Sequence, residues 1–231
     1  SIGTEKYTAI QKNFDYQIAQ GNTHHWTWID AIQMAMPAYA MLTQITKDRK
    51  YLDYAIKSYL WTRDSCGGGL FNVKEGLWWR DKNFVPPYKE SDGKNCYWSR
   101  GNGWVYAALC RTMSTMDKKD KYYKLLKKDY LAMTAALEKL QREDGFWNAS
   151  LASQDYAGPE LSGTSLFLYG MAWGVNNGLL KHSKYQSLLD KAWKACASCV
   201  HNDGFLGYVQ GSGDRIEDRK SGSAGMPRPS S

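Results

Sequence analysis

Three apolar stretches, each followed by an amphipathic stretch and a long loop, constrain this chain more than any other feature. Asp30–Ile45 (DAIQMAMPAYAMLTQI) is apolar almost all round, Gly101–Met116 is mostly apolar and Leu161–Asn176 repeats the buried pattern, as in helices that are largely covered. Tyr51–Arg63, Lys121–Gln141 and Tyr185–Val200 instead carry one apolar stripe. In the second of these, Tyr123, Leu126, Tyr130, Met133 and Leu137 recur at steps of three and four. The unit repeats at roughly 60 to 70 residues. Such a pair packs as an inner and an outer helical layer. Ile2–Gln20 adds a moderately amphipathic helix, giving about seven helices in an all-α fold. The repeat makes the inner helices parallel, so their starts gather at one end beneath the loops. Free N–H groups and the helix dipole favour an anion there.

The 231 residues fit one domain. With 10 Trp and 16 Tyr, the chain has more aromatics than a core needs. Their flat apolar faces with a polar handle suit a sugar ring. The net charge is +7, and Lys residues cluster in DKKDKYYKLLKKDY, Asp117–Tyr130, at helical spacing among acids as on a solvated outer helix face. No nucleic-acid motif accompanies it, so no nucleic-acid partner is expected. No segment is apolar enough to span a bilayer, so no membrane partner is expected either. The chain opens in a helical pattern without a signal peptide, which reads as a removed leader or a missing start and leaves cytoplasm and periplasm both open. Five Cys make an odd count. Cys196 and Cys199 lie in a helical segment, so their C-x-x-C spacing reads as small inward residues rather than a redox or zinc site. His24 and His25 lack metal-ligand spacing, and neither a metal nor another cofactor is expected.

Polar groups stand at the start of each inner helix. Asp30 follows Trp26, Thr27 and Trp28. Thr27-x-x-Asp30 reads as a capping box, but a carboxylate among Trp residues is also desolvated toward a proton donor. Arg100 precedes Gly101-Asn102-Gly103-Trp104. Two Gly at a helix start imply close backbone approach, and an Arg fork suits a carboxylate. Glu160 and Ser162 open the third inner helix, where helix capping is the favoured reading. Trp78 and Trp79, beside Arg80 and Asp81, are candidates to line a sugar cleft. DGFWNASL and DGFLGYVQ follow two outer helices, and their Asp-Gly pairs read as turns.

From His24 to Gln210, the segments WTWIDAIQMAMP, GLWWRDKNFVPP, YWSRGNGWVYAAL, PELSGTSLFLYGMAWGVNNGLL and DGFLGYVQ resemble the unsaturated glucuronyl and rhamnogalacturonyl hydrolases of glycoside hydrolase families 88 and 105, bacterial enzymes of polysaccharide and pectin breakdown. The resemblance implies an (α/α)6 barrel and release of a 4,5-unsaturated uronic acid from the non-reducing end of lyase-generated oligosaccharides. The implied chemistry is hydration of a vinyl ether, with Asp30 as catalytic acid. Trp28, Arg100 and Trp104 are the implied substrate contacts, Arg100 facing the uronate carboxylate. His25, Asn102, Trp79, Glu160 and Ser162 complete the expected site.

The chain departs from that pattern at both ends. Seven helices do not make a full ring, and the family's segment ahead of W-x-D has no counterpart. Residues 1–210 are therefore read as one partial α/α toroid domain. Residues 211–231 (GSGDRIEDRKSGSAGMPRPSS) read as a disordered tail. Inner-helix faces left open would favour self-association. Two other functions remain open: a sugar-binding remnant with impaired catalysis, and an α/α-barrel epimerase. The epimerase would need His at the inner-helix starts, where the chain offers only His24 and His25.

Overall fold

The computed structural model describes residues 7–211; the segment read as a disordered tail lies outside these apart from Gly211. Seven α-helices are described: α1 (Thr8–Ala19), α2 (Asp30–Thr46), α3 (Lys50–Asp64), α4 (Ser99–Met113), α5 (Lys121–Leu140), α6 (Leu161–Asn176) and α7 (His182–Ser198). Helices α2, α4 and α6 stand side by side as the inner row. Behind them pack α3, α5 and α7 respectively, with α1 against α3. The alternation of buried and amphipathic segments thus gives the two expected layers. The stripe on α5 is buried as the spacing requires, together with Asp129 and Thr134. Lys118, Lys119, Lys121, Lys124 and Lys128 are solvent-exposed.

The inner helices run parallel. At one end the Ser99 hydroxyl, opening α4, donates to Glu160 at the start of α6 (2.8 Å). At the other, the Trp173 indole near the end of α6 donates to Ser114, just past α4 (2.8 Å). Helices α4 and α6 meet closely because glycines line their contact. A Cβ on Gly103 would lie 2.9 Å from that of Leu166, and one on Gly163 would lie 2.9 Å from Ser99. The close approach expected at Gly101 and Gly103 is therefore between neighbouring helices. At Gly101 the space is filled by Trp98 and Ile29.

A two-residue hairpin, β1 (Phe71–Asn72) with β2 (Leu77–Trp78), stands in the first long loop, where the sequence pattern shows only Gly-rich loop. The two Asp-Gly segments form the same turn. Gly145 and Gly204 both adopt positive φ (88° and 82°), and Asp144 and Asp203 each accept the backbone N–H two residues on. Cys199 is buried, with its thiol on the Ala195 carbonyl, and both Cys of the C-x-x-C are free.

Two inner helices are less covered than their composition suggests. On α2, Met34 and Met41 are 62% and 56% exposed, and on α6 Tyr169 is 39% exposed. Their all-round apolar character fits a closed ring, and among the described residues no element covers these faces. None of the described helices is long and apolar enough to cross a membrane.

Candidate active site

Asp30 is the first residue of α2 and is half-buried. The expected capping box does not form. Ile29 occupies the N-cap and no side chain caps the helix, because the preceding chain is drawn into backbone pairing. Trp28 bridges Asp81 in antiparallel fashion, and the Ile29 N–H donates to the Arg80 carbonyl (2.9 Å). That pairing fixes how the chain enters the helix. Trp28 is left 47% exposed, on a cleft of about 490 Å³ shared with Thr27, Trp61, Arg80, Asp81 and Lys82. His25 is exposed and is not among the residues lining this cleft, while His24 stacks on Trp61 (centroids 4.9 Å apart).

Arg100 lies in the first turn of α4, half-buried. Its guanidinium carbon is 4.8 Å from the Trp98 ring centre and 5.4 Å from that of Trp104, so two indoles cage it. Nη1 donates to the Gln210 carbonyl (2.8 Å) and Nη2 to that of Gly211 (3.2 Å). No carboxylate forms a salt bridge with Arg100 among the described residues. Burial pulls its guanidinium below the usual basicity, and the negative charges of Glu160 and Asp30 act against that shift. Arg100, Trp104 and Ser162 face an apolar groove of about 470 Å³ bordered by Leu166 and the 66%-exposed Trp193.

Other expected site residues have structural duties. Asn102 is fully buried, and its amide is engaged by the chain itself. Its Oδ1 accepts the Trp78 N–H (2.9 Å), and its Nδ2 donates to the Trp78 and Trp98 carbonyls (each 2.9 Å). It latches the hairpin to α4 and has no face left for a ligand, which corrects its place among the substrate contacts. Glu160, 3% exposed, is the N-cap of α6. It accepts from the Ser162 and Gly163 N–H groups (2.7 and 2.8 Å) and from Ser99. Its carboxylate thus serves as a cap, as the sequence favoured, and it also borders a cavity of about 390 Å³ with Tyr208 and Gln210. Burial nonetheless lifts its carboxyl above the ordinary value. The Ser162 hydroxyl accepts the Gln210 N–H (3.0 Å). Trp78 is core, whereas Trp79 is half-buried, tilts against Tyr97 (5.7 Å), and keeps a buried indole N–H with no protein partner.

The structure therefore brings Asp30, Arg100, Trp104 and Ser162 to the same end of the inner row and places Trp28 on a neighbouring cleft. It also adds Trp98 and Gln210. Both lie inside motifs visible in the sequence, YWSRGNGW and DGFLGYVQ, but the second reads as a turn, and nothing local shows that its last residue reaches α4. Among the described residues no cluster of His, Cys, Asp and Glu could hold a metal ion.

Comparison with known proteins gives the family and the fold. The profile of Glycosyl Hydrolase Family 88 matches residues 5–221. An unsaturated 3S-rhamnoglycuronyl hydrolase of Alteromonas sp. (strain LOR) is 38% identical over 197 residues, 83% of this chain and 46% of that protein. One of the same description from Formosa agariphila is 37% identical over 211 residues, 89% of this chain and 55% of that protein. The chain thus spans about half the length of the curated relatives it matches. A solved family 88 glycosyl hydrolase from Bacteroides vulgatus superposes with a TM-score of 0.88 at 33% identity, covering 93% of this chain and 62% of that one. The fold is of the α/α-barrel type.

Proposed function

Because the chain belongs to glycosyl hydrolase family 88, we propose that it hydrolyses unsaturated uronyl oligosaccharides, releasing the 4,5-unsaturated uronic acid from the non-reducing end. The observation that carries this reading is Arg100: a cation held between two indoles, pulled down in basicity by burial, with no salt bridge among the described residues and with Asp30 acting on it from a neighbouring helix. A partly buried cation paired only with neutral groups keeps part of its desolvation cost, and a ligand carboxylate would offset it. A neutral sugar would not.

In the proposed reaction Asp30 delivers its proton to C4 of the C4=C5 vinyl ether. Water adds at C5 and returns a proton to Asp30. The hemiketal so formed opens by breaking its C5–O bond to the ring oxygen, giving a ketone at C5 and a hemiacetal at C1. Collapse of that hemiacetal releases the remaining oligosaccharide as an alcohol. One carboxyl acts as donor and acceptor in turn, so no second carboxylate at hydrolase spacing is required. The two curated relatives support a rhamnose-linked uronate as the substrate class, and exposed Trp28 offers an apolar platform for the adjoining sugar.

The test follows loss of the ultraviolet band of the unsaturated uronate when an unsaturated rhamnoglycuronyl oligosaccharide is added, with affinities measured for the free acid and its methyl ester. Turnover and a preference for the free acid, lost in Arg100→Ala, are expected. Loss of a charge-assisted hydrogen bond corresponds to roughly 1.5–3 kcal/mol. Binding without turnover would instead identify a sugar-binding remnant. An equal penalty of the mutation for acid and ester would sink the assignment of Arg100.

A further inference from the structure

We infer that Gln210 is the positioning residue of the uronate subsite, holding Trp98 and Arg100 in the arrangement that receives the carboxylate; this rests on the function proposed above. Gln210 is 7% exposed and makes four hydrogen bonds to the starts of two inner helices. Its Oε1 accepts the Trp98 indole N–H (2.6 Å), and its Nε2 donates to the Ser99 hydroxyl (3.2 Å). Its backbone N–H donates to the Ser162 hydroxyl (3.0 Å), and its carbonyl accepts from Arg100 Nη1 (2.8 Å). One residue therefore touches 98, 99 and 100 in succession and ties them to α6. The path continues through Ser99 to Glu160, whose carboxylate caps α6. The backbone around Gln210 is anchored as well, because the Leu161 N–H donates to the Tyr208 carbonyl (2.9 Å).

The consequence for Arg100 is geometric. Its guanidinium stacks on Trp98, and the plane of that indole is set by where its N–H must point. With Nη1 and Nη2 on the carbonyls of Gln210 and Gly211, the fork is turned in one direction, and Nε keeps a buried N–H without a protein acceptor. Replacing Gln210 with Leu preserves bulk but removes the acceptor for the indole, leaving a buried N–H unsatisfied. The ring then loses the polar restraint on its orientation and is held by packing, edge-on against Trp104 among other contacts, so the platform under the guanidinium shifts. Glu160 and Ser162 do not substitute, since their polar atoms already serve α6 and Gln210.

The experiment compares native protein, Gln210→Leu and Gln210→Ala by three readouts: thermal unfolding, the ¹⁵N–¹H indole resonance of Trp98 (identified by its absence in Trp98→Phe), and affinity for an unsaturated rhamnoglycuronyl disaccharide as free acid and as methyl ester. Expected for both variants are cooperative unfolding, a shifted Trp98 indole resonance, affinity for the free acid lower by roughly 10- to 100-fold, and little change for the ester. Where turnover is followed, KM rises more than kcat falls. A shifted resonance with native affinity, or equal losses for acid and ester, would overturn the inference. If native protein shows no preference for the acid over the ester, the functional reading itself fails. An unshifted Trp98 resonance in Gln210→Leu separately refutes the positioning role. If Leu does not fold, Ala carries the same comparison.

Discussion

Arg63 and Arg100 present the same side chain in two settings. Both are packed over an aromatic ring, Arg63 over Phe71 (4.9 Å) and Arg100 between Trp98 and Trp104. Arg63, on outer helix α3, meets Asp129 of α5 through Nε (2.8 Å) and Nη2 (2.9 Å), and Asp64 also pairs with it. Tyr59 donates to the same Asp129 (2.7 Å). Burial pulls the Arg63 guanidinium down, but Asp129 outweighs it and the net shift is upward. At Arg100 burial prevails, because the nearest negative charges, Glu160 and Asp30, act without a salt bridge. The outer layer pairs its buried charge with carboxylates, while at the starts of the inner helices Arg100 rests on two carbonyls and two indoles and forms no salt bridge among the described residues. The first arrangement serves stability; the second is the one on which the proposed carboxylate site rests.

The largest expected effect tests the acid at the Arg100 end. Asp30→Asn should lower turnover by about 10²- to 10⁴-fold while binding of the unsaturated disaccharide stays nearly unchanged. Near-normal turnover would remove Asp30 from the chemistry and leave Arg100 as part of a binding site only. Next in size is the outer pair. Asp129→Ala leaves Arg63 buried without its fork partner, and such losses cost about 3–5 kcal/mol. The denaturant midpoint should fall accordingly and affinity for the disaccharide should not. Unchanged stability would show that Arg63 gains nothing from Asp129 and would erase the contrast. A smaller effect is expected for Arg100→Lys. It keeps the charge and loses the fork, so the free acid should bind more weakly than to native protein but more tightly than to Arg100→Ala, by about one decade on each side. Equal affinities for the Lys and Ala variants would mean that charge is not what the site reads.

The two layers that carry this contrast were legible in the sequence, and so was Arg100; the pairing of Arg63 with Asp129 was not. The apolar pattern separates inner from outer helices, since apolar residues all round and apolar residues on one stripe leave different spacings; the bounds Leu161–Asn176 are matched residue for residue, although α2 and α6 are not covered on every side. Asp30 and Arg100 stand out because helix starts are where side chains and free N–H groups converge. What the sequence could not show is partnership over long separations. Asn102 is a polar residue next to two glycines in a motif, and only the hairpin packed on it reveals that its amide is fully used by the backbone. Thr27 lost its capping role to strand-like pairing with residues more than fifty positions downstream. Gln210 lies more than a hundred residues from Trp98, and no local pattern encodes that meeting.

The smallest expected effect concerns Glu160, the distant counter-charge of Arg100. Two influences compete on its carboxyl. Three donors, the Ser162 and Gly163 N–H groups and the Ser99 hydroxyl, favour the ionised form, while burial favours the neutral one and prevails, so the folded value lies above the ordinary 4.5. A group with a raised folded value binds more protons in the folded state than in the unfolded one. Its contribution to stability is therefore fully present below the ordinary value and is lost as pH rises through the window between that value and the raised one. Glu160→Gln should flatten this component. It should also cost on the order of 1 kcal/mol at low pH, because an amide offers one acceptor oxygen where the carboxyl offers two to the cap, and the gap should narrow toward neutral pH as the native chain carries a desolvated charge. The measurement is unfolding free energy of both proteins across that window. A difference that widens as pH rises would reverse the sign: the three donors would then outweigh burial, Glu160 would be a firmly ionised cap, and the electrostatic support it lends Arg100 would be stronger than the contrast with Arg63 allows.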